Sequence, residues 1–229
     1  MRQKLQVALI LGVVIAALET GYIFYQRHED NVADKKFTQV SILSANPDNY
    51  IVPRTLHAYD LRSAKQLTQQ PVWAKEGYTY AYFPYDRTSH RVDFSKEAGL
   101  LGSVEKLHVT SVIVAGNAKS PQVMAVFEKE GRSYALSIGS EQGGDYHIYA
   151  DEMFFIQDPH DLYKHWSKDI WDSIDHHEAK LGMNELQVDF AIGLGVPESQ
   201  GNPKTVNYND GGHSISVVFK DGKAAEIKP

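Results

Sequence analysis

One stretch of the sequence repeats aspartate and histidine at helical spacing, and these residues are the best suited to chemistry. On a helix that turns about 100° per residue, five of them fall within roughly 80° of one another. They are Asp161, His165, Asp169, Asp172 and His176. Imidazole and carboxylate groups four residues apart on one helix face are common zinc ligands. The stretch therefore raises the hypothesis of a metal-dependent hydrolase.

One ion cannot reach both histidines, because His165 and His176 would lie about three helical turns apart. A zinc site would need Asp161 with His165, or Asp172 with His176, together with ligands from another element. The competing interpretation is a solvated helix face on which carboxylates and imidazoles form ordinary helical pairs. Our leading prediction follows this second interpretation and includes no metal, no other cofactor and no catalytic residue.

Other catalytic classes lack their characteristic residues. The sequence contains no cysteine, which excludes thiol catalysis, thiolate zinc sites and disulfides. Ser140 lies in a glycine-containing segment that does not match the G-x-S-x-G turn of a serine hydrolase. Asp151 and Glu152 are adjacent, so on a strand they would point to opposite faces. We therefore predict a protein without enzymatic activity.

Aromatic residues form a second group of candidates, and they suit binding. By strand alternation, Tyr78, Tyr80 and Tyr82 would share one face. An uncovered row of tyrosines is typical of surfaces that bind proteins or glycans, whereas a covered row belongs to a core. Trp166 and Trp171 would lie about 140° apart on a helix, so one would serve the core and the other a contact. We predict partner binding by Tyr78, Tyr80, Tyr82 and Trp171.

The elements that position these residues begin with an apolar run at the N-terminus. As a helix, Leu5–Tyr25 would be roughly 31 Å long, which matches the hydrocarbon core of a bilayer. A cleaved signal peptide is the alternative, because Arg2 and Lys4 precede an apolar stretch over Leu5–Ala17. The sequence has no clear A-x-A cleavage pattern there, and apolar character resumes after Glu19. These features favour a permanent single-pass anchor.

Topology and partners follow from this anchor and from the overall charge. A short basic tail, one span and a large following domain are typical of a signal anchor, which exports its C-terminal part. We therefore expect a single-pass membrane protein with its C-terminal domains on the extracytoplasmic side. The formal net charge of −6 at pH 7 opposes binding to a phosphate backbone, so we expect no nucleic-acid partner.

Patterns of apolar residues and turn signals divide the remaining chain. Alternating strand-like segments, with a turn signal at Glu130-Gly131, predict a small curved antiparallel domain. Asp158-Pro159 is typical of a helix start, and the amphipathic pattern continues to His177. The predicted fold class is α+β. Its segments are an N-terminal transmembrane helix within 1–27, a stalk over 28–48, the β domain over 49–157, a long amphipathic helix within 158–181, and a helix plus three-stranded antiparallel meander over 182–229.

The C-terminal segment carries a recognisable order of short motifs. They are G-M-N-x-x-x-V at Gly182–Val188, then Gly195 and Pro197, V-x-Y at Val206–Tyr208, and V-V-F-K-D-G-K-A at Val217–Ala224. This order resembles the SmpA/OmlA domain, a BamE-like module that is also similar to the repeats of β-lactamase inhibitor protein. Asn184 can cap a helix by its side chain, and the resemblance implies a helix start, a helix end, an aromatic strand and a hairpin. It also implies binding of other proteins on the outer side of the inner membrane.

These observations predict a non-enzymatic, membrane-anchored envelope protein. Residues 5–25 would contact the lipid bilayer, and the extracytoplasmic domains would bind another envelope protein or a cell-wall component. The alternative is a membrane-tethered metal-dependent hydrolase that uses the histidine and aspartate stripe of the helix over 158–177.

Overall fold

The structure is a computed structural model of the 229-residue chain. It describes residues 20–22, 25, 27, 46–77, 79–117, 119–199, 201–210 and 213–229. The chain divides into two compact units, Met1–Tyr50 and Ile51–Pro229. In the first unit, a short 3-10 helix covers Pro47–Tyr50. The site lies in the second unit.

The second unit is built mainly from strands. They are β1 (Val72–Ala74), β2 (Tyr80–Asp86), β3 (Arg91–Val92), β4 (Gly99–Leu101), β5 (Lys106–Leu107), β6 (Val109–Asn117), β7 (Ser120–Lys129), β8 (Arg132–Gln142), β9 (Asp145–Ile148), β10 (Phe154–Phe155), β11 (Val196–Pro197), β12 (Lys204–Asp210), β13 (His213–Lys220) and β14 (Lys223–Lys228). The α-helices are α1 (Leu61–Ala64), α2 (Ala150–Met153), α3 (Pro159–Leu162), α4 (Lys168–Asp175) and α5 (Glu185–Ile192), and a 3-10 helix covers Lys65–Gln69.

The largest sheet follows the order β3-β2-β8-β7-β6, with β4 also paired to β2 and β9 to β8. Its strands are antiparallel, and alternation gives it two apolar faces. On β7, Val123, Ala125 and Phe127 join the main hydrophobic cluster of the unit, the first core. Met124 and Val126 point to the opposite face and join a smaller cluster, the outer cluster. This sheet therefore separates a closed core from a second, smaller apolar surface.

A short sheet of order β10-β1-β5 joins the first core to a second one, and we call it the junction sheet. Phe154 packs in the first core, whereas its neighbour Phe155 packs in the second. On β1, Val72 and Ala74 contact the first core and Trp73 contacts the second. The alternation of side chains along two- and three-residue strands thus links both cores.

The second core lies between α4, α5 and a C-terminal sheet of order β11-β12-β13-β14. Helix α5 begins at a capping box, in which Asn184 accepts from the backbone N–H of Gln187 and the Gln187 side chain accepts from the N–H of Asn184. Val188 and Phe190 of this helix are fully buried against the sheet strands. Local capping and apolar burial therefore agree on the placement of α5.

The predicted α+β fold class is wrong. Among the described residues 41% lie in strands and 23% in helices, so the chain is mostly β. The C-terminal sheet has four strands, because Val196–Pro197 pairs with Val206–Asn207 ahead of the predicted meander. The predicted domain boundaries at 157/158 and 181/182 both fall within the second unit and stay predictions.

The predicted long helix over 158–177 is also wrong, and its aromatic residues explain the break. Helix α3 ends at Leu162, and α4 begins after the N-cap Ser167. The break brings the rings of Trp166 and Trp171 to within 5.2 Å, and both rings pack on Phe190. On a continuous helix these two tryptophans would diverge by about 140°. The free energy gained by burying both rings in one core exceeds the free energy lost with the helical hydrogen bonds that the break removes.

The predicted N-terminal transmembrane helix lies outside the described residues except for 20–22 and 25. Over the ranges that the structure describes, no helix combines the length and apolar character needed to cross a membrane.

The junction sheet predicts that the two cores unfold together. Phe154→Ala and Phe155→Ala should each lower the free energy of unfolding by about 3–5 kcal/mol, because both rings are buried. Each variant should show one urea transition that coincides by tryptophan fluorescence and far-ultraviolet circular dichroism. The three tryptophans, Trp73, Trp166 and Trp171, all report on the second core.

The exposed Tyr59→Ala is the matched aromatic control and should change stability by less than about 0.5 kcal/mol. Separate fluorescence and dichroism transitions in Phe155→Ala would show that the cores are independent, contrary to this expectation.

Candidate functional site

The tyrosines predicted to bind a partner face the first core where the structure describes them. Tyr82 is 7% exposed, and its ring packs edge-on against Phe127 and Tyr134 at centroid distances of 5.5 and 5.0 Å. Tyr80 is half-buried and packs against the same core. Tyr78 lies outside the described residues. In the isolated chain, Tyr80 and Tyr82 therefore contribute to packing, and their role in binding stays a prediction.

Trp171 is likewise 7% exposed and belongs to the second core. The His160 imidazole stacks on its ring at a centroid distance of 4.0 Å. His160 Nδ1 lies 3.0 Å from an Asp158 carboxylate oxygen, which holds the imidazole over the indole. Access to Trp171 from this side thus requires movement of His160, and its predicted binding role also stays a prediction.

The histidine and aspartate stripe is divided by the break between α3 and α4. Asp161 belongs to α3 and His165 to the connecting segment, whereas Asp172 and His176 lie on α4 and its C-cap. Both carboxylate oxygens of Asp172 accept from Lys168 Nζ at 2.6 Å. Within the described ranges, no three histidine, aspartate or glutamate residues come together in a way that could hold a metal ion.

An open cleft of about 790 Å³ lies where the ends of the large sheet approach each other. One wall comes from β3 and the residues around it, and the other from the β6–β7 hairpin. The lining residues are His90, Arg91, Val92, Phe94, Val114, Ala115, Gly116, Asn117, Ser120 and Gln122. Neither wall was among the predicted binding residues. We call this feature the edge cleft.

The lining of the edge cleft shows that it lies along strand edges. Successive strand residues point to opposite faces, so a pocket on one face of a sheet is lined by every second residue. Here the run from Val114 to Asn117 on β6 and the run from His90 to Val92 around β3 are both unbroken. Within the described residues, β6 pairs with β7 and β3 with β2, so each has one edge free of strand partners. The cleft therefore exposes backbone as well as side chains.

Apolar and cationic groups share this cleft. Phe94 is 38% exposed and packs on Phe83 at a ring distance of 5.5 Å, and Val114 is 41% exposed. His90 and Arg91 are the only titratable side chains in the lining, which contains no carboxylate. His90 Nδ1 lies 3.1 Å from the Tyr85 hydroxyl, so its ring is oriented. This combination can hold an apolar segment that carries negative charge.

A second cluster of unusual groups lies between the turn after β1 and the C-terminal sheet. The side-chain oxygens Glu76 Oε2 and Tyr208 Oη are buried and have no regular hydrogen bond within the described residues. The Tyr208 hydroxyl interacts with the Asp189 carboxyl on α5. Gly77 allows the turn to approach this region, because its φ is +83° and a Cβ there would lie 2.0 Å from Leu194.

Burial controls the ionisation of this cluster. Desolvation above all, together with the nearby carboxylates of Glu185 and Glu76, raises the pKa of Asp189 to about 7, although Tyr208 and Lys204 act in the opposite direction. Desolvation also raises the pKa of Glu76 and of Tyr208. Lys204 Nζ forms an ion pair with Glu185 at 2.7 Å, so the only nearby lysine on β12 is already paired. Ionisation of these buried acids at neutral pH and above therefore destabilises the folded state.

Comparison with known proteins identifies no relative, because no family model, curated protein or solved structure matches this chain.

The edge cleft and the carboxyl cluster could not be predicted from the sequence, for one shared reason. Val92 and Val114 are separated by more than twenty residues, and Glu76 and Asp189 by more than one hundred. Local patterns report on neighbouring residues and do not show which distant elements lie side by side. The only available signal was the uncharged run at Val112–Gly116, which lacks the charges that usually protect an edge strand.

Asp189→Asn should change how stability depends on pH. The folded chain keeps the Asp189 proton up to about pH 7, whereas an unfolded aspartate releases it near 3.8. The folded state then binds more protons between these values, so Asp189 lowers the free energy of unfolding as pH rises from about 4 to 7. The variant lacks this pH-dependent loss of folding stability. Relative to the wild type, its free energy of unfolding should rise across this range, by at most about 1.4 kcal/mol per pH unit.

Urea titrations at pH 4, 5, 6, 7 and 8 measure this difference. Asp145→Asn, at an exposed aspartate on β9, is the control and should show a difference from the wild type that is small at every pH. An Asp189→Asn difference that does not vary with pH would contradict the assignment of Asp189 as a buried, protonated acid.

Proposed function

We propose that this chain is a non-enzymatic binding protein of the cell envelope. Residues 5–25 would attach it to a membrane, and the unit over Ile51–Pro229 would bind another envelope protein or a cell-wall component on the extracytoplasmic side. The observation that carries this proposal is the edge cleft. Within the part of the chain that the structure describes, it combines strand edges without a strand partner, exposed apolar side chains and an arginine without an ion pair.

The chemistry of the cleft suits recognition. Its cationic and amide side chains are hydrogen-bond donors, and Val92, Phe94 and Val114 offer apolar contacts. A carboxylate, an amide or a backbone carbonyl of a partner would accept from Arg91 and Gln122. Free strand edges also favour a protein partner, because a polypeptide can complete their hydrogen bonds. A cell-wall component would use the same donors through its hydroxyl and carboxyl groups.

The C-terminal segment also supports a role in protein binding at the envelope. Residues 182–229 resemble the SmpA/OmlA domain, and that resemblance implies protein binding at the envelope. The apolar run at Leu5–Tyr25 supports attachment to a bilayer, since its length and composition suit the hydrocarbon core.

Photo-crosslinking in native membranes tests the proposal. The full-length chain would carry a photoreactive phenylalanine analogue in place of Val114 or Phe94, two exposed residues of the cleft. Ultraviolet light should produce a discrete adduct at both positions, because a partner in the cleft lies against both side chains. Mass spectrometry then identifies a protein or a cell-wall fragment as the partner.

The same analogue in place of Tyr59, an exposed residue outside both the edge cleft and the C-terminal segment, is the matched control and should give no such adduct. Equal labelling at all three positions, or none at the cleft positions, would count against binding at the edge cleft.

Membrane attachment has its own test. After alkaline extraction of membranes, the full-length chain should stay in the pellet and a variant lacking residues 5–25 should appear in the supernatant, because that run supplies the apolar contact with lipid. The deleted variant should keep the tryptophan fluorescence spectrum of the folded chain, because all three tryptophans lie in the second core. Complete alkaline release of the full-length chain would remove the anchor from the proposal.

A further inference from the structure

We propose that the edge cleft binds an extended, acidic segment of a protein partner, which adds as a strand along the free edge of β6. This inference rests on the proposed function and names the partner's conformation and charge. The backbone, the side chains and the charges of the cleft each support it.

The backbone of β6 can form hydrogen bonds with a further strand along one edge. It is the last strand of the large sheet, and β7 is its only strand partner in the part of the chain that the structure describes. In an antiparallel pair, every second residue of an edge strand directs its N–H and C=O away from its partner. An extended peptide can satisfy these groups by strand addition, which is a recurrent mode of peptide recognition.

The edge of β6 also lacks the features that protect other edges of this chain. At the far side of the C-terminal sheet, β14 carries Lys223, Glu226 and Lys228 over six residues. On the opposite edge of that sheet, β11 is two residues long and contains Pro197. These are ordinary defences against strand pairing. By contrast, Val112–Gly116 contains no charged residue and no proline, which is consistent with an edge that is used.

Side chains of an added strand would meet different surroundings on its two faces. Toward the outer cluster, the half-buried Val92, Ile113 and Ala115 provide an apolar wall, and Phe94 extends it toward solvent. Gln122 and Ser120 lie on this same face, because they are in register with Ala115 and Asn117. Arg91 points to the opposite face from its neighbour Val92, since successive strand residues alternate. A partner with alternating apolar and polar residues fits this arrangement, because strand side chains alternate in the same way.

The charge of the cleft favours an acidic partner. Arg91 is exposed and forms no ion pair within the described residues. The nearest carboxylates, Asp86 in register with Arg91 and Asp93 two residues on, are held by their own turns. Asp86 accepts from the backbone N–H of Thr88 at 2.7 Å, and Asp93 accepts from the Ser95 hydroxyl at 2.6 Å.

Asp86 and Asp93 keep their negative charges, but their oxygens accept these turn hydrogen bonds and form no ion pair with Arg91 within the described residues. The rest of the chain is unfavourable for an acidic partner. With a net charge of −6, the chain as a whole repels acidic segments, whereas the lining of the cleft contains only basic titratable groups. A negatively charged strand would therefore be attracted to this edge in preference to other surfaces.

Two synthetic peptides test the charge requirement on the full-length chain in detergent micelles. One fluorescein-labelled nonapeptide alternates valine with glutamate, and the second labelled nonapeptide alternates valine with lysine. Fluorescence anisotropy should show saturable binding of the glutamate peptide and at least about tenfold weaker binding of the lysine peptide. Arg91→Glu should weaken binding of the glutamate peptide by about tenfold or more, because it replaces an attraction with a repulsion.

Lys223→Glu is the matched control, since it makes the same charge change on an exposed lysine of the remote strand β14. It should leave the affinity within about twofold. Equal effects of Arg91→Glu and Lys223→Glu would show that net charge alone is measured, and this outcome would overturn the inference.

Hydrogen exchange distinguishes strand addition from simple contact. Saturating glutamate peptide should slow exchange of outward-facing amides within 112–117 by about tenfold or more, while amides within 223–228 on the free edge of β14 stay unchanged. Binding without protection at 112–117 would overturn strand addition. Protection of 112–117 without peptide, together with a concentration-dependent dimer, would assign the edge to a second copy of this chain and also overturn the inference.

The outcomes separate this inference from the proposed function. If the photoreactive analogue at positions 114 and 94 captures a partner in membranes but the glutamate peptide does not bind, the proposed function stands and the acidic strand is overturned. If neither adducts nor peptide binding occur, both fail.

Discussion

The fold depends on a small sheet that has a hydrophobic core on each side. Two adjacent phenylalanines, Phe154 and Phe155, point into different cores because neighbouring strand residues alternate. Strand β1 repeats this pattern with Val72 and Trp73. A shift of one residue in the register of either strand would exchange the faces and place side chains of the wrong size in both cores. The cores are therefore coupled by register as well as by contact.

Polar contacts and backbone strain gather at the same junction. The Ser103 hydroxyl donates to the Phe190 carbonyl at 2.7 Å in a buried position. Its neighbour Val104 has a φ of +62°, which is strained for a β-branched residue, while its N–H donates to Ala74 on the junction sheet. The nearby turn carries Glu76 toward Asp189. Dense packing between the cores thus tolerates strain and buried acids that would be costly elsewhere.

The end of the large sheet that carries the edge cleft is less densely packed than the junction. There the packing thins to the outer cluster of Met124, Val126 and Ala135, and the partly exposed Phe94 and Val114 remain beside free strand edges. A closed, strained junction and an open edge are thus separated within one unit. Stability is concentrated where the two cores meet, and the surface available to a partner lies where apolar burial is incomplete.

Local chemistry was sufficient to predict several turns and caps. Glu130-Gly131 forms the predicted hairpin turn, and Asp221-Gly222 forms the turn of the hairpin expected at the V-V-F-K-D-G-K-A motif, with positive φ at all four residues. Asp158 accepts from the His160 N–H at the predicted helix start, and Asn184 caps α5. In each case the deciding hydrogen bonds join residues within four positions of one another, so the sequence alone determined them. The length of the helix that begins at Asp158 depends instead on contacts with distant residues.

The tertiary structure decided the features that depend on distant contacts. The helix predicted over 158–177 is broken because Trp166 and Trp171 both reach Phe190, more than fifteen residues away. The edge cleft exists because β3 pairs with β2 and β6 with β7, which brings Val92 and Val114 to one opening. Periodicity states which face of an element is apolar, but the free energy of burial depends on the partner that covers it. The sequence by itself determined the local turns, caps and apolar faces of this protein, and only tertiary packing decided which faces meet and which edges remain free.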